Sequence, residues 1–376
     1  MGSLSDRTAT IVGAGIGGLT AALALARRGA RVTVLERAPA LTEVGAGLQL
    51  SANSVRVLDA LGLGASLDAV TLRTAAVQLN DQQGRRVLRM DLLAHRSQVR
   101  FVLIHRASLV SLLAEAAAAA GVDLRFGQDL DSVPDVPLVV AADGVKSRLR
   151  PLLAGREVPF FTGQTAWRAV IPAKPDSAPE AHVFMGPGRH IVSYPLAGGL
   201  RNIVAVEERR DWQDEGWSHP GDPDQLRAAF AGFGGPVPGW LAAIGQVHLW
   251  GLFRHEVATR WHDGRLVLLG DAAHPTLPFL AQGAGMAIED AWVLAACLDD
   301  DADQGVALSR YQSLRQPRTR RIVAAANANA RNYHLGGAKR LLGHAALRLA
   351  DRAAPGLMPG RFDWLYDYDP VADLAG

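Results

Sequence analysis

The 376-residue chain holds one cysteine, Cys297, which excludes an internal disulfide and a thiolate metal cluster. It has no excess of either charge: 39 Lys and Arg stand against 37 Asp and Glu, a net of +2. Both signs are scattered, whereas a dedicated nucleic-acid binder carries a basic stripe or tail. Long hydrophobic runs are missing too. The longest apolar stretches, 11–26 and 109–122, contain glycine or charge and fall short of the ~20 residues that span a bilayer. Thr8 to Val12 leads into glycines rather than a cleavage site, and Asp6 stands where a myristoylation pattern needs Ser or Thr. We therefore expect a cytoplasmic, reducing setting, no membrane and no nucleic-acid partner. Internal repeats are absent, and the Pro- and Gly-rich stretches 171–180, 218–224 and 232–239 read as loops within one body.

What the chain has in plenty is glycine, 39 residues, about 10% against an average near ~7%. Ala9 to Gly13 reads as a buried strand entering a tight turn. Residues 13–18, G-A-G-I-G-G, then supply G-x-G-x-x-G before an Ala/Leu-rich helix that stops at Arg27-Arg28-Gly29. Arg31 to Leu35 is the next strand, and Glu36 closes it. In this order Gly13 permits the turn, Gly15 lets backbone approach a pyrophosphate, and Gly18 lets helix and strand pack closely. The helix N-terminus favours the phosphates' charge. Glu36, about 20 residues on, is placed to accept hydrogen bonds from an adenosine ribose. Arg37, beside it, is expected near the adenine or a phosphate.

Two further segments add detail. The strand-like Leu138 to Ala141 runs into 143–150, D-G-V-K-S-R-L-R. The β-prone Arg265 to Leu269 runs into 270–275, G-D-A-A-H-P, and then 282–290, Q-G-A-G-M-A-I-E-D. Asp271, just past its strand, suits a ribityl or other polyol hydroxyl. Gly283 and Gly285 offer bare N–H groups at the start of a Met286–Leu298 helix, whose N-terminus stabilises negative charge on a ligand.

With these three motifs the chain resembles the class A FAD-dependent aromatic monooxygenases, close to salicylate hydroxylase, 3-hydroxybenzoate 6-hydroxylase and 6-hydroxynicotinate 3-monooxygenase. The likeness runs to about residue 330, and 362–366, F-D-W-L-Y, is also family-like. It implies an α/β fold, a Rossmann-like FAD-binding domain with an inserted antiparallel-sheet substrate domain and C-terminal helices. The expected divisions are 1–160 and 256–330 for FAD, 161–255 for the substrate sheet and 331–376 for the helical end. Bound FAD, NADH or NADPH as cosubstrate, and molecular oxygen follow from the resemblance. So does hydroxylation of a small phenol-like aromatic through a flavin C4a-hydroperoxide. By the same likeness Arg106 and Asp143 contact FAD, and Gly45 to Gln49, with Gly47, form the mobile-flavin loop. Pro275 lines the flavin face, and Gly283, Ala284 and Gly285 meet its N1–C2=O edge.

Between the second and third motifs the pattern turns to short β-like runs, Thr165–Ile171, Ala181–Met185, Ile191–Tyr194 and Ile203–Glu207. His190 and Tyr194 lie four residues apart, hence on one face of a strand. In 188–195, G-R-H-I-V-S-Y-P, they match the family's substrate-side histidine and tyrosine. On this likeness His190 is expected to take or relay a phenol proton and Tyr194 to orient the ring substituent by a hydrogen bond. His274 reads as a structural or flavin-side hydrogen bond, and Leu277, Phe279 and Leu280 as pocket walls. Arg168 reads as structural, and no carboxylate-binding arginine or second pocket histidine is evident. One rival reading is an FAD oxygenase or oxidoreductase acting on a non-phenolic or polyketide-like molecule. The other is a silent nucleotide-binding protein. Leucines at helical spacing in 339–354 pack on the body or form a dimer seam, for a monomer or homodimer.

Overall fold

Short apolar runs bounded by turn residues give the chain its strands. The computed structural model describes residues 4–41, 46–130, 132–155, 159–209 and 219–374. In chain order the strands begin with β1 (Thr8–Val12), β2 (Arg31–Leu35), β3 (Gly47–Leu50), β4 (Thr71–Arg73), β5 (Ala76–Asp81) and β6 (Arg86–Asp91). Next come β7 (Val102–His105), β8 (Asp123–Arg125), β9 (Leu138–Ala141), β10 (Phe160–Pro172) and β11 (Glu180–Gly186). The rest are β12 (Arg189–Leu196), β13 (Leu200–Glu208), β14 (His219–Gly221), β15 (Val247–Arg254) and β16 (Leu266–Leu268).

The first sheet has the order β16-β9-β1-β2-β8, every pair parallel. The helices Ile16–Ala26, Arg106–Ala119 and Gly283–Asp300 pack with it into one core. The strand, turn, helix and strand read from residues 9–36 are all present, with the helix starting directly after Gly15. This is the Rossmann-like half of the fold. A small antiparallel sheet, β3-β7-β4, brings Gly47 up beside it.

The second sheet is larger, with the order β14-β15-β10-β13-β12-β11-β5-β6. From β10 to β15 its pairings are antiparallel, as expected for the substrate sheet. Its far edge differs from expectation. β5 and β6 come from residues 76–91, inside the stretch assigned to FAD, and β5 pairs with β11 in parallel. The cause is non-local: β11 would otherwise be an open edge, and β5 and β6 cover it.

Strand alternation sorts this sheet's side chains into two sets. Trp167, Ala169, Ile191, Ile203 and Ala205 join Phe184 and Phe230 in a core on one face. Ala166, Arg168, His190, Val192, Tyr194, Val204 and Val206 therefore share the other face, and that face looks into a cavity. A one-residue slip in register would exchange the sets.

Behind the cavity lies a buried ion network. Arg315, on the Gln304–Tyr333 helix, reaches Glu289 at 2.7 Å and Asp290 at 2.7 Å on the Gly283–Asp300 helix. Arg318 adds a second cation to Glu289 at 2.8 Å, and Asn53 donates to the same carboxylate. Asp290 also accepts from Gly270 N and pairs with His274. Charges with none of their surface in solvent stand only when paired in this way. Replacing Arg315 with Leu should cost about 3–5 kcal/mol, the range for breaking a buried pair. Urea unfolding of the FAD-loaded protein measures it, and a loss below about 1 kcal/mol would show the network to be dispensable.

Candidate active site

The glycine turn does two different jobs. At Gly13, whose φ is +106°, an added Cβ would sit 2.5 Å from Ala142 O, and at Gly18 it would overlap Gly13 O. These two positions hold strand and helix together. Gly15 is the opposite case: beyond its two chain neighbours, no heavy atom of the described residues lies within 4 Å of its missing Cβ. It lines both the central cavity and an adjoining cleft, at the N-terminus of the Ile16–Ala26 helix. Space against bare backbone at such an end suits phosphates.

Glu36 lines the cleft and accepts from Ala14 N at 2.7 Å and Ala38 N at 2.8 Å. Arg37 does not join it. Neighbouring residues of an extended segment point to opposite sides, and Arg37 is exposed outside the cleft lining. Asp143 also lines the cleft, its Oδ2 accepting from Arg148 N at 2.9 Å. Its Oδ1 is buried with no hydrogen-bond partner among the described residues, and burial raises its pKa. Arg106, first residue of its helix, lines cleft and cavity alike.

Asp271 lines the cavity, and among the described residues no protein donor reaches its carboxylate. Burial pushes its pKa up, while the charges of His274 and Arg106 oppose that rise. Two carboxylate edges awaiting donors, an open glycine cradle and a helix N-terminus fit a ligand rich in hydroxyls and phosphates. FAD is such a ligand.

At the other end of the cavity, Gly283 and Ala284 line the wall at the start of the Gly283–Asp300 helix. Gly285 sits behind it, where a Cβ would come 3.6 Å from Ser54 Oγ and 3.7 Å from Asn53 Nδ2. Pro275 does not line the cavity, contrary to expectation. Asp290 holds His274 inward, which buries Pro275, and the turn reaches the cavity only at Thr276, Leu277 and Pro278. Phe279 lines it as well, whereas Leu280 belongs to a smaller neighbouring pocket. Gly45 lies outside the described residues, but Gly47 is explicit: a Cβ there would be 2.7 Å from both Asn202 and Tyr194. Its N–H donates to Asn202 Oδ1 at 2.8 Å. The loop can lie this close to the sheet only as glycine.

On the sheet face, β12 carries His190 and Tyr194 about 13 Å apart by strand rise. Arg168 on β10 pairs with Val204 on β13, which pairs with Val192 midway between them. The three polar groups thus form a triangle around a valine floor. The Tyr194 hydroxyl and the Arg168 guanidinium have no hydrogen-bond or carboxylate partner among the described residues. Arg168 lies over the Trp250 ring at 4.2 Å, and its Nε is buried unpaired. Burial lowers its pKa to about 10, so it stays charged at neutral pH. Arg168 is therefore a cavity residue, not the structural one its sequence position suggested, because Trp167 beside it takes the core-facing side.

His190 is not alone either. Its Nδ1 lies 2.7 Å from His334 Nε2, and His334 Nδ1 lies 2.9 Å from Glu208 Oε1. Burial holds the His190 pKa well below 6.5, and His334 lowers it further. The Phe279 and Tyr333 rings flank it, each centroid 5.2 Å away. The second histidine escapes a sequence reading because it stands 144 residues from His190, as the first residue beyond a long helix. Its only local mark is the aromatic Tyr333 before it.

A doubly walled cavity with a nucleotide cleft at one end and a polar-edged apolar face at the other defines a flavin-dependent oxygenase scaffold. Sequence and structure comparisons agree. The family model for the FAD binding domain matches residues 6–137 and 135–326. The chain is 37% identical over 388 residues to 3-amino-4-hydroxybenzoate 2-monooxygenase of Streptomyces platensis, spanning 96% of this chain and 95% of that one. It is 34% identical over 397 residues to 3-hydroxybenzoate 6-hydroxylase of Polaromonas naphthalenivorans, spanning 97% of each. Klebsiella pneumoniae HpxO, solved with FAD and uric acid, superposes with a TM-score of 0.81 at 26% identity, over 95% and 97% of the two chains. The chain belongs to the class A FAD-dependent aromatic monooxygenases: an enzyme that binds FAD and uses NAD(P)H to hydroxylate a small aromatic compound.

The open space at Gly15 yields a test. Gly15→Ala should change apoprotein stability by less than about 1 kcal/mol, as for other substitutions of an N-cap glycine. FAD affinity should fall at least about tenfold, equivalent to ~1.4 kcal/mol. Flavin fluorescence titration reads the affinity, and an unchanged value would remove Gly15 from the cofactor cradle.

Proposed function

We propose that the substrate is a small aromatic acid bearing a ring hydroxyl, with the hydroxyl at His190 and the carboxylate at Arg168 and Tyr194, whose side chains interact electrostatically. The observation behind this reading is a half-buried guanidinium facing the cavity, its Nε out of solvent, with no carboxylate beside it among the described residues. A buried charge without a counter-ion is costly, and a guanidinium fork matches a carboxylate with two parallel hydrogen bonds. Val192, Val204 and Val206 give the ring an apolar floor between the two polar ends. The relatives' names support the same pairing, since 3-amino-4-hydroxybenzoate and 3-hydroxybenzoate each carry a hydroxyl and a carboxylate.

When bound, FAD accepts a hydride from NADH or NADPH and supplies one atom of O₂ to the ring. The protein's part is placement and proton handling. Asp271, Asp143, Glu36, Arg106 and the Gly15 backbone hold the cofactor. The Gly283 and Ala284 N–H groups face its far edge at a helix N-terminus, where they favour negative charge. His190, neutral, takes the ring hydroxyl's proton, which raises electron density on the ring carbons. Tyr194, beside Arg168, orients the carboxylate, and the apolar walls keep water from the reacting atoms.

Among the described residues no helix is long and apolar enough to cross a membrane. A cytoplasmic setting suits the NAD(P)H requirement and the lone buried thiol of Cys297. The choice between monomer and homodimer rests with the Gly337–Ala353 helix, where Leu341, Leu342 and Leu349 are exposed.

Anaerobic stopped-flow with 3-amino-4-hydroxybenzoate, 3-hydroxybenzoate and unsubstituted phenol tests the reading. The two acids should bind and accelerate FAD reduction, and phenol should bind about 100-fold more weakly, as expected on losing a charged hydrogen-bond pair. Arg168→Met should abolish that discrimination at full FAD content. Equal binding of acids and phenol by the natural enzyme would sink the carboxylate assignment. Separately, His190→Ala should slow hydroxylation by about 100-fold, the scale of positioned acid–base catalysis, with FAD affinity kept. An unaltered rate would remove it as the base.

A further inference from the structure

We propose that Glu208 and His334 fix the reactive tautomer of His190 and carry its proton to solvent. This rests on the reading that a ring hydroxyl meets His190, and it assigns positioning roles to two residues outside the cavity wall.

The argument starts at the surface and moves inward. The Glu208 side chain is 57% exposed, and an ionised carboxylate only accepts hydrogen bonds. His334 Nδ1, 2.9 Å away, must therefore carry the hydrogen and donate it. A neutral imidazole with Nδ1–H has Nε2 as its acceptor. That Nε2 lies 2.7 Å from His190 Nδ1, so His190 must donate from Nδ1. Its own Nε2 lone pair is then left for the cavity. An exposed carboxylate two hydrogen bonds away thus makes the buried imidazole present a base and not an acid.

Surrounding charges are consistent with neutral rings. Burial lowers the His334 pKa, the Glu208 hydrogen bond and charge oppose that, and Arg189 lowers it again. His190 is lowered by burial and by His334. Gln164 Nε2, at 3.5 Å from His334 Nδ1, is a donor opposite a donor and does not compete. Tyr333 and Phe279 complete the surroundings with rings. Both imidazoles therefore remain neutral at and below their ordinary value near 6.5, until the pH falls through their lowered values.

The transfer balances. The ring O–H bond breaks as His190 Nε2–H forms, His190 Nδ1–H passes to His334 Nε2, and His334 Nδ1–H passes to Glu208. Water then takes the proton from Glu208. One proton enters and one leaves, no electrons change hands, and both rings end as Nε2–H tautomers. The reverse passage resets them when the product hydroxyl is re-formed. Neither ring has to flip, His190 being held against Phe279 and Tyr333, which is the advantage of a path that runs both ways.

Two measurements on the FAD-loaded enzyme test this. In ¹⁵N-histidine NMR at pH 7, with His190→Gln and His334→Gln for assignment, both rings should be neutral and Nδ1-protonated. A His190 ring carrying Nε2–H overturns the proposal, whatever the substrate is. In stopped-flow with a pH indicator and 3-amino-4-hydroxybenzoate as probe, binding should release one proton. Glu208→Gln still accepts the His334 hydrogen bond but takes no proton, so release should slow at least about tenfold. His334→Ala should slow it similarly and recover with added imidazole. Release at the natural rate in Glu208→Gln overturns the relay, and so does ligand binding with no release in the natural enzyme. Failure of the probe to bind at all counts against the aromatic-acid reading, and the NMR result still decides the tautomers.

Discussion

Arg315 is the cation around which the interior is organised. Its guanidinium, wholly buried, holds Glu289 and Asp290, two adjacent acids on the helix whose N-terminus walls the cavity. Through Asp290 the network reaches Gly270 N and His274, and so sets the turn that carries Asp271. Through Glu289 it reaches Asn53, which bonds Gln282 next to the helix start. One desolvated cluster therefore fixes Asp271, the Gly283–Ala284 edge and the buried Pro275 together. Replacing such a cluster with apolar groups need not cost stability. Its directional hydrogen bonds set positions that apolar packing would leave loose.

The two walls of the cavity work by different chemistry. The cofactor wall is mostly backbone: glycines, helix N-termini and two carboxylate edges, which suit phosphates and hydroxyls. The substrate wall is side chains on alternate positions of a sheet, where register fixes which residues meet. That difference explains why glycine recurs on one side and Val, His, Tyr and Arg on the other. Gly47 is the hinge point between them, since it is the cofactor-side loop residue that touches Tyr194 and Asn202.

The legible parts of this protein were local. The turn at 13–18, the strand before Asp143 and the strand before Asp271 each sit within one short window, where glycine and β-prone runs state the backbone path. His190 and Tyr194 share a strand face for the same reason. The features that sequence did not reveal depend on distant chain. β5 joins β11 across about 100 residues, and His334 meets His190 across 144. The cavity place of Arg168 is hidden because one strand carries both a core set and a cavity set, and only the partner strands decide which is which. Pro275 falls behind the cavity wall because its neighbour His274 answers to Asp290, 16 residues on.

Desolvation ties these observations to function. The same burial raises Asp271 and Asp143, lowers Arg168 and His190, and leaves each in want of a partner or of neutrality. For Asp271 and Asp143 the missing partners are donors, which a polyol supplies. For Arg168 the missing partner is an anion. His190 resolves its own burial differently, by staying neutral and bonding His334, and a neutral imidazole is the form that can accept a proton. A water-filled pocket would satisfy all four groups without a ligand and would lose the selectivity each now exerts. The low-dielectric interior that makes these groups costly to the fold is therefore what makes each selective for a partner of its own chemistry.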